Sequence, residues 1–406
     1  MTRTLSVRHN RAQMKAAPPI AYEPFGRDTW RDPFTLYRQL RDEDPVHRSP
    51  GGFWVLSRFE HVFHAARDTA TFSSAHGLTF RNEREELGLA PTIVMMNPPD
   101  HTRYRRLASR GFTPRHVAEL EPDARRFVRE RVLELRTAGS GDFVAGLARP
   151  LPSWVVAHYL GVPEADRHRF DGWTQGIVQA NAEGHPMGAG GALAELYGYF
   201  TELIERRRRE PGDDLVSILL KADAEGAGIG IEGILGYAFV MIAGGNDTTT
   251  GLIAGAAELL TAFPDQRRRL LDDPSLVPTA VEEILRLTSP VQGLCRVTTR
   301  DVVVDDTTIA AGDRVLLCYG AANRDPREFG PDAEDLDVGR RIEHMLSFSS
   351  GAHFCLGASA ARLMGRVALE ELLAELPSFA VDAEAGVLAD GAFTRRYEHL
   401  PFVAAA

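Results

Sequence analysis

Apolar positions recur at helical spacing through most of the first 290 residues of this 406-residue chain, the pattern of helices that bury one face. A short strand candidate interrupts early, at 53–56 after Gly51-Gly52. Residues 114–135 read as a helix capped by Thr113, with Pro114 at its first position. Segments 153–160, 164–181 and 190–209 are also helical in pattern. The glycines of 184–191, with Pro186, predict a mobile loop. Pro211-Gly212 breaks the chain, and Asp213 or Asp214 can cap the helix that follows. The longest periodic run, 231–263, ends at Pro264 and at ~1.5 Å per residue would span roughly 50 Å. A further helix at about 276–288 stops at Pro290.

Beyond residue 294 the period changes. Segments 296–304 and 313–317 alternate and are rich in Val and Thr, which predicts strands. Residues 323–347 show no period, and long stretches of that kind inside a domain are usually functional. Helical spacing returns at 355–376, and 379–405 reads as short strands. Residues 1–17 are polar and basic and are expected to be disordered. The expectation is one large domain over 18–406, mainly α with small β-sheets.

Composition narrows the function. The chain is 44% hydrophobic and 25% charged, with a net charge of −10. That balance disfavours a general nucleic-acid binder, which needs a basic surface. The N-terminus has no apolar core of a secretory signal, and the longest apolar run, 233–245, is too short to span a bilayer. Three cysteines, Cys295, Cys318 and Cys355, have no paired spacing, which fits a reducing cytoplasm.

Chemistry concentrates in four places. Residues 348–357 read F-S-S-G-A-H-F-C-L-G, with a single cysteine between glycines just ahead of a helix. A helix N-terminus favours the thiolate of Cys355, and Gly351 and Gly357 would let a flat cofactor approach. Residues 243–250 read A-G-G-N-D-T-T-T in the middle of the long helix. Weak helix formers there conflict with the surrounding pattern, and such conflicts tend to mark functional sites. Glu283 and Arg286 share a helix face, with Glu282 to Arg286 as a second allowed pairing. His101 and Arg105 are four apart on another.

The segment F-x-x-G-x-H-x-C-x-G resembles the haem-binding loop of cytochromes P450, with Ser349 where that family commonly has glycine. The other three segments stand in the order that the family would place them. The resemblance implies a P450 fold holding haem b, with Cys355 as the iron ligand, Phe348 packed near the sulfur and His353 reaching a haem propionate. It places Gly244 and Gly245 over the distal haem face. It gives Thr248 a hydrogen bond to bound dioxygen and Asp247 a part in proton relay. His101, Arg105 and Arg296 complete a propionate clamp, and Glu283, Arg286 and Arg340 form a structural network. The pocket it implies includes Met95, Val240, Gly244, Val291, Leu294, Phe393 and Thr394, which suits a hydrophobic small molecule. Arg103, Arg106 and Arg110, with Arg362 and Arg366, form a basic patch that would steer an acidic ferredoxin or flavodoxin.

The activity so implied is monooxygenation with O2 and electrons from NAD(P)H, through an external reductase because the chain carries no flavin or dinucleotide motif. No nucleic acid and no membrane anchor are expected. A peroxide-driven hydroxylase on the same fold is an alternative, against which Asp247-Thr248 argues because peroxide users need less proton delivery. A thiolate-haem sensor is another, against which an apolar pocket with a proton relay argues.

Overall fold

The computed structural model describes residues 30–404 except 81–91, 168, 171, 174–175, 177–189 and 392, together with residues 20, 22 and 23. The tail 1–17 and most of the expected loop 184–191 lie outside the described residues, as does much of the helix expected at 164–181.

The α-helices of eight residues or more, in chain order, are α1 (Phe34–Glu43), α2 (Phe59–Arg67), α3 (Asp100–Ala108), α4 (Pro114–Ala138), α5 (Pro150–Tyr159), α6 (Gly190–Arg209), α7 (Leu215–Ala222), α8 (Gly230–Ala262), α9 (Pro264–Asp272), α10 (Val277–Thr288) and α11 (Ala358–Glu375). Local signals explain several ends. The Thr113 hydroxyl accepts from the His116 N–H with Pro114 at the first turn of α4, and Gly139 closes that helix in the left-handed region at φ 73°. Of the two aspartates ahead of α7, Asp214 is the cap, accepting from Ser217 N at 2.8 Å.

Helix α8 organises the interior. Its C-terminal half, from Leu252, joins α4, α5, α10 and α11 in the largest apolar cluster. Its N-terminal half, up to Ile242, joins α3, α6 and α7 in a second cluster. The glycine- and threonine-rich interruption therefore falls between two cores. A helix running through solid core could not carry such residues at so small a cost in lost packing.

The strands are short. One sheet has the order Val46–Arg48, Trp54–Leu56, Arg314–Leu317, Leu294–Thr298, Phe72–Ser73, with only the second and third parallel. A three-stranded sheet sets Pro401–Ala404 between Ser140–Asp142 and Phe379–Val381. The single strand expected at 296–304 is two, Leu294–Thr298 and Val302–Val304, because the chain turns at 299–301. The segment 323–347 holds one short helix, Pro326–Phe329, among turns.

That meander is held from beneath by buried charge. Glu283 and Arg286 on α10 are fully buried, with Arg286 Nε 2.7 Å and Nη2 2.8 Å from the two carboxylate oxygens. Arg340 Nε reaches the same carboxylate at 3.0 Å. Arg286 Nη1 also donates to the carbonyls of Asn323 and Ala333, and Asp337 N donates to Glu283. The alternative pairing of Glu282 with Arg286 does not form, because Glu282 is taken by Arg362 at 2.6 and 2.8 Å.

Removing one member of a buried pair leaves the other uncompensated, at about 3–5 kcal/mol. Glu283→Ala is therefore expected to lower the urea unfolding midpoint far more than Arg340→Ala. Arg340 is partly exposed and keeps Asp332 as a second partner at 2.9 Å. Equal midpoints for the two variants would remove Glu283 from the centre of the network.

Candidate active site

The cysteine loop is fixed at both ends. Cys355 N donates to Phe348 O at 2.8 Å, closing the segment into a loop, and α11 begins three residues on. The Arg362 guanidinium of α11 lies 4.7 Å from the centre of the Phe348 ring, a cation–π contact that holds the ring. Ser349 has φ 58°, the left-handed region that glycine adopts without strain. Its hydroxyl lies 3.1 Å from Tyr319 Oη, a buried side chain, so the serine carries a compensating hydrogen bond.

The two glycines of the loop serve different ends. A Cβ on Gly351 would sit 3.0 Å from Arg67 Cα, so this residue lets the loop touch α2 rather than a cofactor. A Cβ on Gly357 would face the Cys355 sulfur at 4.0 Å. Cys355 itself presents accessible surface yet lies deep among protein atoms, as a residue lining an internal space does. The helix N-terminus does not lower its pKa as expected. Burial pushes the thiol up, outweighing the Gly357 N–H and the charges of Arg105 and Arg362. A metal ion at the sulfur reverses that sign, since a coordinating thiol is deprotonated outright.

The interruption in α8 also divides its glycines. Gly244 is exposed at the middle of the helix, and a Cβ there would meet nothing within 4 Å, so it borders an open space. A Cβ on Gly245 would sit 2.9 Å from Val156 Cγ2. Gly245 is thus accounted for by the packing of α5 on α8, not by an open face. Thr248 Oγ1 donates to Gly244 O at 2.8 Å, tying the hydroxyl to the edge of the same opening. Asp247 is largely buried, and Arg396 Nε lies 2.8 Å from its Oδ1. Burial raises its pKa above the usual carboxylate value, while Arg396 and Arg149 oppose the rise.

A third group is cationic. Arg296 and His101 are buried, and Arg105 is partly so. The His101 and His353 rings stand 4.3 Å apart, and Arg105 Nη1 donates to Ala352 O in the cysteine loop at 3.2 Å. Arg296 Nη1 has the carbonyl of Cys295 at 2.7 Å. Neither arginine has a carboxylate at ion-pair distance among the described residues. Burial, helped by Arg296, His101 and Arg105, drives the pKa of His353 down to about 3, so its imidazole is neutral. Its Nε2 lies 3.1 Å from Ser74 Oγ. Two enclosed arginines without acids fit a dianionic partner, and the two propionates of a haem are one. With an accessible deep cysteine and a helix open at Gly244, these residues fit haem.

The pocket candidates gather on two sides. Met95 sits in a turn, Ile93–Met95, that lies against α8, which also carries Val240. Val291 and Thr394 form a β-bridge, Gln292 N donates to Phe393 O at 2.7 Å, and Leu294 opens the adjoining strand. The basic patch is smaller than expected. Arg362 is held by Glu282 and Arg366 by Glu121 at 2.6 Å, while Arg103 bonds Gly228 O and stacks on Tyr104. Arg110 stands 3.9 Å from Glu225. The residues that sequence reasoning missed are Arg396, Tyr319 and Ser74, whose contacts cross 149, 30 and 279 positions with no local pattern to mark them. No helix of the described residues is long and apolar enough to cross a membrane.

Comparison with known proteins agrees with this geometry. Residues 256–382 match the family model described as Cytochrome P450. The chain is similar to Cytochrome P450 130 of Mycobacterium tuberculosis, 55% identical over 92% of this chain and 96% of that protein. It is 37% identical to Vitamin D(3) 25-hydroxylase of Pseudonocardia autotrophica, over 89% of this chain and 90% of that one. Among solved structures, cytochrome P450 CYP109Q5 from Chondromyces apiculatus superposes with a TM-score of 0.87 at 34% identity, covering 96% of this chain and 99% of that chain. CYP109E1 from Bacillus megaterium in complex with testosterone gives a TM-score of 0.86 at 30% identity, over 93% and 99%.

Position 349 allows a test of the loop. Both Ser349→Gly and Ser349→Ala lose the Tyr319 hydrogen bond, but only glycine also relieves the left-handed backbone. Ser349→Ala is expected to be less stable than Ser349→Gly by about 1–2 kcal/mol, measured by denaturant unfolding. The opposite order would mean that the loop adopts another backbone.

Proposed function

This chain belongs to the cytochrome P450 family, and we propose that, as a P450 monooxygenase, it inserts one oxygen atom of O2 into a hydrophobic small molecule by hydroxylation or epoxidation. In this reading the electrons come from NAD(P)H through a separate ferredoxin or flavodoxin, and the protein works in the cytoplasm. The observation that carries it is the polar pair Asp247-Thr248 beside the open, exposed Gly244 at the centre of a helix between two apolar cores.

A thiolate-ligated haem supplies oxygen activation, because the sulfur pushes electron density toward the iron and favours O–O cleavage. The chain's own residues do the rest. Cys355 would be the iron ligand, with Phe348 and Gly357 beside the sulfur. Arg105 and Arg296 would neutralise the propionates, and the neutral His353 and His101 would offer ring nitrogens to them. Gly244 leaves room for the flat ring, while Gly245 serves helix packing.

Thr248 holds its proton at Oγ1, pointed at Gly244 O, and keeps its lone pairs free to accept another. Asp247 is buried enough to bind a proton more readily than an exposed aspartate, which suits a group that takes protons up and passes them on. Met95, Val240, Val291, Leu294 and Phe393, with Thr394, would hold an apolar substrate and exclude water. A relative is named Vitamin D(3) 25-hydroxylase, and a similar structure holds testosterone. Steroids and secosteroids therefore lead the compounds to screen for spectral binding shifts. The basic surface left for an electron donor is Arg103 and Arg106, with Arg110 weakly paired.

Two measurements check this reading. The reduced protein under carbon monoxide is expected to show the red-shifted Soret band of thiolate-ligated haem. A band at the shorter wavelength of neutral-ligand haem, in intact protein, removes Cys355 from the iron. Thr248→Ala is expected to raise the peroxide released per NADH consumed severalfold. Unchanged coupling would take proton delivery away from Thr248.

A further inference from the structure

We infer that Gln292 is a positioning residue: its buried side-chain amide, held from α1 by Tyr37, sets the place of the turn 290–294 and, through that turn, of the C-terminal arm 393–395. The inference rests on the substrate pocket proposed above, since Val291, Leu294, Phe393 and Thr394 lie on these two segments. It adds a determinant of where they stand, and that determinant lies outside the pocket.

The two segments are joined through their backbones. Arg395 N donates to Pro290 O at 2.8 Å and Gln292 N to Phe393 O at 2.7 Å, on either side of the bridge between Val291 and Thr394. A Cβ on Gly293 would sit 2.7 Å from Leu317 O, so the turn also lies directly on the strand Arg314–Leu317. Burial divides the residues. Gln292, Gly293 and Cys295 are buried, whereas Val291 and Leu294, like Phe393 and Thr394, are half-buried.

Gln292 uses every polar group it has. Its carbonyl accepts from Gly320 N at 2.9 Å. Its Nε2 donates to Thr288 O at 3.0 Å and to Ser289 O at 2.6 Å, two carbonyls at the end of α10. Its Oε1 accepts from the Tyr37 hydroxyl at 3.0 Å. Backbone carbonyls only accept, so the amide has one orientation here. Gln292 is 2% exposed and Tyr37 1%, so solvent does not compete for these bonds. Leaving a partner unmet in such a place carries the full cost of its lost hydration.

The niche is shaped for the amide. A Cβ on Gly320 would collide with Gln292 Oε1 and sit 3.0 Å from Tyr37 Cε2, so the glycine is what lets the two side chains meet. The same helix holds the arm from outside. Arg395 Nη2 donates to Arg31 O at 3.1 Å, and its guanidinium lies 5.5 Å from the centre of the Phe34 ring. Helix α1 thus reaches the turn through Tyr37 and the arm through Phe34. Displacing the amide frees the turn from α1 and from the end of α10. Turn and arm then shift together, because they are bonded to each other. The proposed apolar wall changes shape while the cysteine loop keeps its own contacts.

The test uses the haem-loaded protein and two nitrogen ligands of iron, imidazole and 1-dodecylimidazole, whose Soret shifts give dissociation constants. Imidazole probes the iron alone, whereas the dodecyl chain also needs the apolar wall. Gln292→Met keeps the length of the side chain and loses its three hydrogen bonds. It is expected to weaken 1-dodecylimidazole about tenfold and to leave imidazole within about twofold of the parent. Gly320→Ala, which displaces the amide by bulk, should do the same. Tyr37→Phe, which removes one hydrogen bond, should weaken 1-dodecylimidazole about threefold. Deuterium exchange of peptides spanning 288–296 and 393–397 should rise in the same order, while that of 348–357 stays at the parent level. Equal losses for both ligands, or exchange that rises along the whole chain, would make Gln292 a residue of general stability and overturn the inference. Unchanged 1-dodecylimidazole binding in both Gln292→Met and Gly320→Ala does so too. If those two variants do not fold, Tyr37→Phe decides alone. A parent protein that binds 1-dodecylimidazole no more tightly than imidazole removes the apolar pocket instead, and the exchange measurement still judges Gln292.

Discussion

Arg296 is buried and Arg105 partly so, and neither has an acid at ion-pair distance among the described residues. An uncompensated buried charge costs several kcal/mol, and proteins avoid it by pairing or neutralising the group. On α10 the chain does pair its buried charge: Arg286 and Arg340 share Glu283, and Arg286 also donates to backbone carbonyls. The contrast within one molecule assigns different work to the two sets. The closed network fixes α10 to the meander and needs nothing from outside. The open set needs an anion, and His353, driven neutral by burial and by the charges of Arg296 and Arg105, stands beside it.

The same constraint shapes the two walls of the site. The cysteine loop is joined to the cation group through Arg105 and Ala352 O, so the sulfur and the charges are placed by one hydrogen-bonded unit. The facing requirement is room. It is met where α8 leaves one apolar cluster and enters the next, a place where small and polar residues cost little packing. The C-terminal arm then closes over α8 at Gly251. It carries Phe393 and Thr394, which pair with Gln292 and Val291, and brings Arg396 onto Asp247, so residues proposed to meet substrate and the ion pair of Asp247 share one short segment.

Much of this was legible in the sequence, for physical reasons that differ by element. Thr113-Pro114 and Asp214 are local caps, and local hydrogen bonds need no tertiary information. The long helix showed because its apolar period outlasts the interruption, and the interruption showed because glycine and threonine are poor helix formers. The sequence could not separate Gly244 from Gly245, since which one faces a neighbour depends on the rotation of α8 against α5. It could not foresee that Glu121 and Glu282 cover two of the expected patch arginines, because α4 and α10 meet α11 only in the fold. The helix-terminus argument for Cys355 misjudged the balance: the Gly357 N–H and the charges of Arg105 and Arg362 favour the thiolate, but burial acts more strongly.

The hydroxyl of Thr248 brings these strands of argument together. In this structure its hydrogen is committed to Gly244 O, within the helix. To donate toward the open space it must leave that carbonyl, and the helix must tolerate the loss for the time of the transfer. The opening lies at Gly244 itself, where a Cβ would meet nothing within 4 Å. The hydroxyl is therefore a poor source of protons by itself, since a single committed hydrogen must be replaced after each use. A neighbouring acid that can be reloaded is the natural complement. In the proposed reading that acid is Asp247, whose pKa is raised by burial and opposed by Arg396. In the proposed reading Gly244, Asp247 and Thr248, about one turn of α8, act together with Arg396, which lies 149 positions on from Asp247.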